Sequence, residues 1–562
     1  MTQTVVREVE RKYELPEGVA LPSLDDLPGI ETDPTADVFQ LEAVYFDTAD
    51  LRLATHRVTL RRRTGGDDAG WHLKLPAGVD GRDEIRSPLG RASRTVPADL
   101  ASLVAAYTRG APLVPVARIR TTRTRRRLRD EDGAVLAEIV ADEVAGQTLG
   151  RESTVSSWSE AEVELAGGSE ELLDRVEQRL RSAGVRRSAS ASKLARVLGD
   201  RLPGGRPGGE SGRGADEAPD DGVRSERGRS ERGRSGKRGS AKDRSGKDRS
   251  GKGRAAKGRA GQAAEGRANR RPTVGRLVAD HLREQVEAVL EHDPRVRRDE
   301  PDSVHKMRVA TRRLRSALQT FGAVVDRSAT RPITDELKWL AGVLGEARDL
   351  EVLRASLEEK VGALPDELVV GPVKARITGH LAHQQAEARD HVLEALNSKR
   401  YFALLDALDA LVAEPPLTAK SRSGADRALP KTLLRNQRKV AQRVEAAAAL
   451  PPGEERDVEL HEARKSAKRA RYAGELAQPA LGSAAKRFAA DMESVQEELG
   501  AHQDSVVARQ VLRELGMQAH LAGENGFTFG LLYRGEQAGA DTVEAHIPTV
   551  RKAVRAAARR LG

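Results

Sequence analysis

The stretch that decides the fold of the N-terminal half is Val5-Val6-Arg7-Glu8-Val9-Glu10-Arg11-Lys12-Tyr13. Its pattern predicts a β-strand, in which alternate side chains point to opposite faces. Glu8, Glu10 and Lys12 then share one face, and Val9 and Arg11 share the other. Two carboxylates and an ammonium are costly to bury without partners. A sheet that closes around an aqueous, charged interior removes this cost and suits a metal-bound polyanion, whereas a single strand of this kind is equally typical of a solvated face.

The composition bounds the class of protein. A chain of 562 residues predicts two or more domains, each with its own core. The absence of cysteine excludes disulfides and thiolate metal sites, which fits a reducing cytoplasm. Neither an N-terminal apolar signal segment nor a run of about eighteen apolar residues is present, so we expect a cytoplasmic protein without a membrane partner.

The excess positive charge lies in one segment. Residues 201–272 contain 21 Lys+Arg and 10 Asp+Glu, a net charge of +11, whereas the whole chain has a formal charge of +10. The segment consists of Gly, Ser, Arg and Lys in near-repeats and has few apolar side chains to offset the entropy of ordering. It is therefore predicted to be a disordered linker, acting either as a simple tether or as an arm that attracts polyanions.

Other strand-like stretches in the first 200 residues also carry charge on one face. Acids recur near the end, at Asp142, Glu160, Glu162 and Glu164, and bases recur in the middle, at Arg61, Arg63, His72, Lys74, Arg82 and Arg86. A solvated surface usually mixes the two signs more evenly along each strand. The pattern therefore favours a barrel with an acidic wall for divalent cations and a cationic wall for phosphate oxygens.

These residues resemble the CYTH, or triphosphate tunnel metalloenzyme, family. The resemblance is carried in order by Glu8-x-Glu10-x-Lys12, Tyr45-Phe46-Asp47-Thr48, Leu60-Arg61-Arg62-Arg63, Lys74, Glu84, the basic cluster 118–127, Asp142, Glu162-x-Glu164 and Ser192-Lys193. It covers residues 1–200 and implies an eight-stranded antiparallel β-tunnel barrel that binds a linear triphosphate with Mg²⁺ or Mn²⁺.

The resemblance also implies roles for individual residues. The expected metal ligands are Glu8, Glu10, Asp142, Glu162 and Glu164. The expected triphosphate-binding residues are Lys12, Arg61, Arg63, Lys74, Glu84, Lys193 and the basic strand with Arg118, Arg120, Arg123 and Arg125. Glu8, Glu10 and Lys12 are the expected catalytic residues. Which arginine of the basic strand faces the tunnel stays open, because nearly every residue of that run is basic.

The second half, residues 273–562, is rich in Ala, Leu, Arg and Glu, which predicts long helices, and it contains an internal repeat. The first copy carries His305, Arg308, Arg312 and Arg315, and the second carries His461, Arg464, Lys468 and Arg471 at the same spacing. On a helix this spacing forms one narrow stripe. Stacked like charges are unfavourable, so two matching stripes indicate an anion-binding surface more than a solvated face.

Each stripe is followed by a second repeated element. Leu344-Gly345-Glu346-Ala347-Arg348-Asp349 follows the first stripe, and Leu499-Gly500-Ala501-His502-Gln503-Asp504 follows the second. With the duplication, these elements resemble the CHAD domain. The resemblance implies an all-α duplicated helical bundle, with repeats of about 273–425 and 426–562, that binds inorganic polyphosphate. The expected architecture is thus a multi-domain α+β protein with a tunnel, a linker and a helical domain.

Two functions from different classes fit this sequence. The first is metal-dependent hydrolysis of inorganic triphosphate or polyphosphate in the tunnel. Hydrolysis of thiamine triphosphate or of a nucleoside triphosphate, and cyclisation of ATP, are the alternative reactions of such a tunnel. The second is a non-catalytic polyphosphate-binding protein, associated with polyphosphate granules. Nucleic-acid binding is disfavoured, because a chain with 3% aromatic residues offers few platforms for base stacking.

Overall fold

The N-terminal half is built mainly from β-strands. A computed structural model describes residues 4–16, 19–76, 81–90, 95–190, 192–202 and 272–559, without the side chains of Thr4, Val6, Arg7 and Glu8. Most of the predicted linker, residues 203–271, therefore lies outside the described residues. The strands are β1 (Thr4–Leu15), β2 (Glu31–Thr32), β3 (Asp37–Asp47), β4 (Thr59–Thr64), β5 (Gly70–Pro76), β6 (Gly81–Pro88), β7 (Val114–Arg129), β8 (Val135–Thr148), β9 (Val155–Leu165) and β10 (Arg186–Arg187).

Eight of these strands close into an antiparallel barrel, as the sequence predicts. Their order around the barrel is β1-β6-β5-β4-β3-β7-β8-β9, and β9 pairs with β1 to complete the ring. The short β2 and β10 pair with β7 and β1 outside this ring. Closure brings the acidic strands β8, β9 and β1 side by side, although β1 and β9 lie at opposite ends of the domain's sequence.

The barrel is polar inside and apolar outside. Along β9, Ala161 and Val163 are buried in an outer apolar cluster, whereas Glu160, Glu162 and Glu164 alternate with them and point inward. The outer faces are covered by short helices, which keeps their apolar side chains from water. These helices are α1 (Arg52–Thr55), α2 (Ala98–Leu103), α3 (Ala105–Thr108), α4 (Glu170–Ser182) and α5 (Lys193–Leu198).

The C-terminal half is helical throughout its described residues. Its helices are α6 (Val274–Arg297), α7 (Ser303–Thr320), α8 (Arg327–Gly362), α9 (Val373–Leu396), α10 (Lys399–Ala413), α11 (Ala425–Ala449), α12 (Glu454–Leu481), α13 (Ser483–Leu521), α14 (Phe527–Ala545) and α15 (Ile547–Arg559). Among the described helices, none has an apolar stretch long enough to cross a bilayer. The predicted combination of a β-tunnel barrel and an all-α domain is confirmed.

The two halves contact each other directly. Side chains of α2 and α3, among them Leu100 and Leu103, share one buried apolar cluster with those of α6. The Tyr107 hydroxyl donates a hydrogen bond to the Leu290 carbonyl oxygen at 3.1 Å. Arg295 of α6 lies 3.3 Å from the Asp83 carboxylate on β6. The tunnel is therefore held against the helical half by packing as well as by the chain connection.

Candidate functional site

A cavity of about 70 Å³ lies inside the barrel. Register explains why charged side chains meet there: Lys12 on β1 is paired with Glu162 on β9, and Lys74 on β5 is paired with Glu84 on β6. The predicted site residues that line the cavity are Glu10, Lys12, Arg61, Arg63, Lys74, Glu84, Arg123, Glu162, Glu164 and Lys193. The structure thus brings together residues from both ends of the first 200 positions.

The acidic wall is organised around Lys193, the first residue of α5. The Lys193 ammonium lies 2.9 Å from Asp142, 2.6 Å from Glu160 and 2.9 Å from Glu162. Burial disfavours a charged lysine, yet these three carboxylates raise the pKa of Lys193. Three carboxylates thus converge on one buried cation.

Arg123 joins the same wall from β7. Its guanidinium donates to both carboxylate oxygens of Asp142, at 2.8 and 2.7 Å, and to Glu162 at 3.0 Å. This fork geometry is the one that arginine uses for planar carboxylate or phosphate groups. Burial opposes the charge of Glu162, but Lys12, Lys193 and Arg123 hold its pKa well below the ordinary range.

Lys12 links the acidic wall to the first strand. Its ammonium lies 3.0 Å from Glu10 and also contacts Glu162. Burial alone raises the pKa of Glu10, but Lys12 and Lys74 outweigh burial and lower it to about 2. Glu10 is therefore ionised at neutral pH and offers oxygen ligands beside the ammonium of Lys12.

The basic wall is organised around Glu84. Its carboxylate accepts a hydrogen bond from His72 at 2.9 Å, contacts Arg86, and lies 3.9 Å from Arg61 and 3.7 Å from Lys74. Burial opposes the charge of Glu84, yet its pKa is lowered, mainly by the His72 hydrogen bond and then by Lys74. Glu84, which was expected to bind triphosphate, thus holds in place two cations that were expected to bind phosphate. Arg63, the other residue of β4 expected to bind triphosphate, pairs with Asp68.

Three predicted phosphate ligands on β7 do not lie in this cavity. The side chains of Arg118 and Arg120 are 44% and 67% exposed and face Glu42 on the outer surface. Arg125 is bound by Asp37 and Asp67 at 2.9 and 3.0 Å. The sequence left open which arginine of this strand faces the tunnel; in the structure, Arg123 is the one of these four that lines the cavity. The side chain of Glu8 lies outside the described residues.

Two residues of the site, Glu160 and Tyr45, appear in the sequence patterns but were given no role there. Glu160 is buried against Lys193, and it also accepts a hydrogen bond from the Trp158 indole at 2.6 Å. Its period-two spacing with Glu162 was the available signal. Tyr45 lines the cavity and accepts a hydrogen bond from Arg61 at 3.4 Å. Its position opposite Arg61 follows from strand register, which the sequence alone does not display.

The acidic wall fits a divalent metal ion. The ammonium of Lys193 already occupies a point where oxygens of Asp142, Glu160 and Glu162 converge within 2.9 Å. Carboxylate oxygens are the ligands that Mg²⁺ and Mn²⁺ prefer. Glu10 and Glu164 line the same cavity and complete an all-oxygen donor set.

The predicted basic stripes lie on neighbouring helices, α7 and α12, and face matching glycines. In the first repeat, Arg308 lies 3.1 Å from Asp349, and a Cβ added at Gly345 would stand 3.4 Å from the guanidinium of Arg308. In the second, Arg464 lies 3.3 Å from Asp504. The repeated Gly and Asp therefore give each arginine space and a partner.

The centres of the two stripes converge. Burial, and then the charges of Arg312, Arg464 and Arg308, lower the pKa of Lys468 to about 7. The Nε atoms of Arg308 and Arg464 are buried without hydrogen-bond partners among the described residues. Such a set of close cations is the arrangement that a polyanion would stabilise.

The outer members of the stripes differ in their surroundings. Burial lowers the pKa of His305 and of His461, so both rings are neutral at pH 7. Arg471 is neutralised by Glu475 and Glu493, each at 2.9 Å. Arg315 forms no ion pair with a carboxylate within the described part of the chain.

The helical half also holds one group of potential metal ligands in its described residues. The His502 ring nitrogen Nε2 lies 3.3 Å from Asp457 and 3.5 Å from Glu544. Arg456 already pairs with Glu544 at 2.6 Å. These contacts form a mixed ion-pair group that joins α12, α13 and α14.

A closed barrel with facing acidic and basic walls, joined to a helical domain with paired basic helices, defines a two-domain class of protein. The CYTH domain model matches residues 6–198, and the CHAD domain model matches residues 280–513. An uncharacterized protein of Mycobacterium tuberculosis, Rv2226, is 37% identical over 98% of this chain and 97% of its own length. The chain belongs to the family of proteins that join a CYTH domain to a CHAD domain.

Two solved structures resemble parts of the chain. PptA from Streptomyces chartreusis is 21% identical with a TM-score of 0.43, covering 50% of this chain and 99% of that chain. HpAC1 from Hippeastrum, described as an adenylyl cyclase candidate with a dominant triphosphatase activity, is 18% identical with a TM-score of 0.21, covering 34% and 94%. The tunnel fold of the CYTH family implies a divalent metal ion.

Proposed function

We propose that the tunnel hydrolyses inorganic triphosphate or polyphosphate with a divalent metal ion, and that the helical half binds polyphosphate. The observation that supports the enzymatic part is the separation of charge inside one enclosed cavity. Acids from β1 and β9 line one wall of the cavity, with Asp142 of β8 bound to Lys193 beside them, and bases from β4, β5 and β6 line another. A linear triphosphate with a bound cation needs both kinds of wall within a few ångströms of each other.

Ligand exchange explains how the paired walls accept substrate. Lys12, Arg123 and Lys193 now hold carboxylates, and phosphate oxygens replace those carboxylates with equivalent charge and hydrogen bonds. The carboxylates released in this way, with Glu10 and Glu164, are the residues that would hold Mg²⁺ or Mn²⁺. A metal ion bound there supplies charge neutralisation and activation of the attacking water.

The side chains of the protein stabilise the charge that develops during the reaction. In-line attack of water on a terminal phosphorus places charge on the equatorial and leaving oxygens, and preorganised cations stabilise that charge. Glu84 orients Arg61 and Lys74 toward the cavity, so these cations do not have to reorganise during the reaction. The enclosed barrel strengthens each of these interactions by excluding bulk water.

The enzymatic proposal is tested by phosphate release from the full-length protein with Mg²⁺ or Mn²⁺. Triphosphate, long-chain polyphosphate, thiamine triphosphate and ATP are compared side by side. We expect release from the inorganic substrates, lost in Asp142→Asn and in the double variant Glu8→Gln/Glu10→Gln. Glu143→Gln is the matched control, because Glu143 is exposed on the outer face of the same strand.

The outcomes separate the candidate functions. Release only from an organic triphosphate would keep the tunnel and replace the substrate. Absence of release from every substrate, with polyphosphate still bound, would make the protein a polyphosphate-binding protein without this activity. Turnover that survives Asp142→Asn would show that the acidic wall does not hold the metal ion.

The binding proposal is tested separately. Charge reversal at Arg308, Arg312, Arg464 and Lys468 should weaken polyphosphate binding, because these residues converge between α7 and α12. Lys465→Glu is the matched control, since Lys465 is exposed on the same helix. Unchanged affinity in the four-residue variant would refute the role of the stripes. In cells, a binding-competent protein should co-localise with cytoplasmic polyphosphate granules by fluorescence, and the variant should disperse.

A further inference from the structure

A second cationic pocket lies at the C-terminal end of α7, where helices of both repeats meet. It has a volume of about 690 Å³ and is lined by Arg327 and Arg331 of α8, Arg435 and Lys439 of α11, and Arg469 of α12. Asp335 is the one acid in its lining. None of the five cations forms an ion pair with a carboxylate within the described parts of the chain.

These cations are held by neutral groups instead. Arg435 donates to the Thr320 carbonyl oxygen at 3.0 Å, and Arg469 donates to the Ser466 hydroxyl at 3.2 Å. Arg315, next to Arg469, has a buried Nε without a hydrogen-bond partner. Burial and then Arg469 lower the pKa of Arg315, which reports uncompensated repulsion. The fold therefore holds these cations in position but does not neutralise their charge.

At the corresponding position beside the second stripe, the charges of the equivalent arginines are neutralised by acids. Glu475 pairs with Arg313 at 2.8 Å and with Arg471 at 2.9 Å, and Glu493 pairs with Arg471 at 2.9 Å. When the stripes are aligned, Glu475 corresponds to Gln319, and when the Gly-Asp elements are aligned, Glu493 corresponds to Lys338. Both acids are thus missing beside this pocket, where the equivalent arginines are Arg469 and Arg315.

We propose that this pocket between the repeats binds a phosphate-dense anion, at a site separate from the tunnel and from the centre of the basic stripes. Guanidinium forks match phosphate oxygens, and the lining contains no aromatic side chain for base stacking. The volume lies within the roughly 300–1,000 Å³ range of pockets that hold compact ligands. The ligand is a segment of inorganic polyphosphate or a multiply phosphorylated small molecule, and the site does not depend on tunnel chemistry.

The decisive variant is Gln319→Glu, which restores the acid of the second repeat with nearly the same shape. Full-length protein is titrated calorimetrically with inositol hexakisphosphate and, separately, with medium-chain polyphosphate. We expect about a tenfold or greater loss of affinity for at least one probe, since a charge-assisted contact contributes roughly 1.5–3 kcal/mol. Loss for hexakisphosphate alone identifies a compact organic ligand, and loss for polyphosphate alone identifies a chain segment.

Two further variants make the test independent of folding defects. Lys439→Ala removes an exposed pocket cation and should weaken the same probe. Glu475→Gln makes the opposite change in the second repeat and should not lower affinity. Phosphate release in the tunnel should be unchanged in Gln319→Glu, so failure of the tunnel proposal is visible separately. Wild-type affinity of Gln319→Glu for both probes would overturn the proposal.

Discussion

Removal of the Lys193 ammonium is the sharpest test of the acidic wall. Lys193→Met keeps much of the side chain's length and apolar stem but leaves Asp142, Glu160 and Glu162 without the cation on which they converge. Asp142 and Glu162 keep Arg123 as a partner. Glu160 keeps only the Trp158 hydrogen bond among its described contacts, so it becomes a buried and unpaired carboxylate.

The size of the effect follows from this burial. Breaking a buried ion pair by removing one partner costs about 3–5 kcal/mol. For a domain of this size, each kcal/mol lowers Tm by roughly 2–4 °C, so we expect a fall of about 6 °C or more. Ionic partners lower the pKa values of Asp142 and Glu162. Their contribution to stability is therefore present above about pH 4–5 and is lost as the pH falls through the folded-state values, so the difference between variant and wild type should shrink in acid.

The assay is differential scanning fluorimetry of the barrel transition, with and without Mg²⁺ or Mn²⁺. A divalent ion should stabilise Lys193→Met more than the wild type, because it takes the place of the lost ammonium and binds only the folded state. Arg129→Met is the control, since Arg129 pairs with Asp33 outside the cavity and is one-third exposed. Its loss should lower Tm much less than the loss of Lys193 does, because exposed ion pairs contribute little.

Two results would refute this reasoning. If Lys193→Met and Arg129→Met had the same Tm, the ion network of the cavity would contribute no more than a surface pair. If metal ions stabilised wild type and Lys193→Met equally, or neither, the carboxylates would not form a cation site. The second result would also remove the main support for metal-dependent hydrolysis.

Three further predictions concern other parts of the machinery. Because the pKa of Lys468 is lowered to about 7, polyphosphate affinity should fall as the pH rises from 6 to 8, and Lys468→Arg should flatten this profile in calorimetric titrations. Gly500→Ala places a Cβ about 3.1 Å from the Arg464 guanidinium, so it should weaken polyphosphate binding. Tm should be unchanged or higher, because alanine favours a helix more than glycine does. Gly342→Ala is the control: its Cβ meets nothing within 4 Å, so it should not weaken binding. Glu84→Gln should raise KM for triphosphate roughly 10–100-fold, because the cations that it orients lose their charged partner; an unchanged KM would contradict that role.

The tunnel could be predicted in outline but not in register. Period-two spacing correctly placed Glu162 and Lys74 on inward faces, because a strand offers only two faces. It left β7 undecided, where Arg118 and Arg120 lie on one face and Arg123 on the other. In the structure the inward face of this strand begins with the uncharged Ile119 and Thr121, so the positions of the charges alone could not identify it.

For the helical half, the sequence predicted the basic stripes but not the contacts that give them their surroundings. The spacing of Arg308 and Arg464 identifies two stripes from sequence alone, since helical geometry fixes one face. The reason for the glycine that follows each stripe depends on the packing of α7 on α8 and of α12 on α13. The contrast between Gln319 and Glu475 is visible in the sequence, but its meaning requires knowing which arginines each side chain faces.

Direct packing changes how the two halves can cooperate. A flexible linker alone would let a polyphosphate held by the helical half meet the tunnel at a concentration set by linker length. Here the Arg109 side chain, 5% exposed, pairs with Asp406 and Asp409 of α10, and α2 and α3 share an apolar cluster with α6. These contacts fix the separation between the tunnel and the basic helices, so geometry decides which chain lengths reach both sites. A preference for particular polyphosphate lengths would then be a property of the docked interface, whatever the composition of residues 203–271.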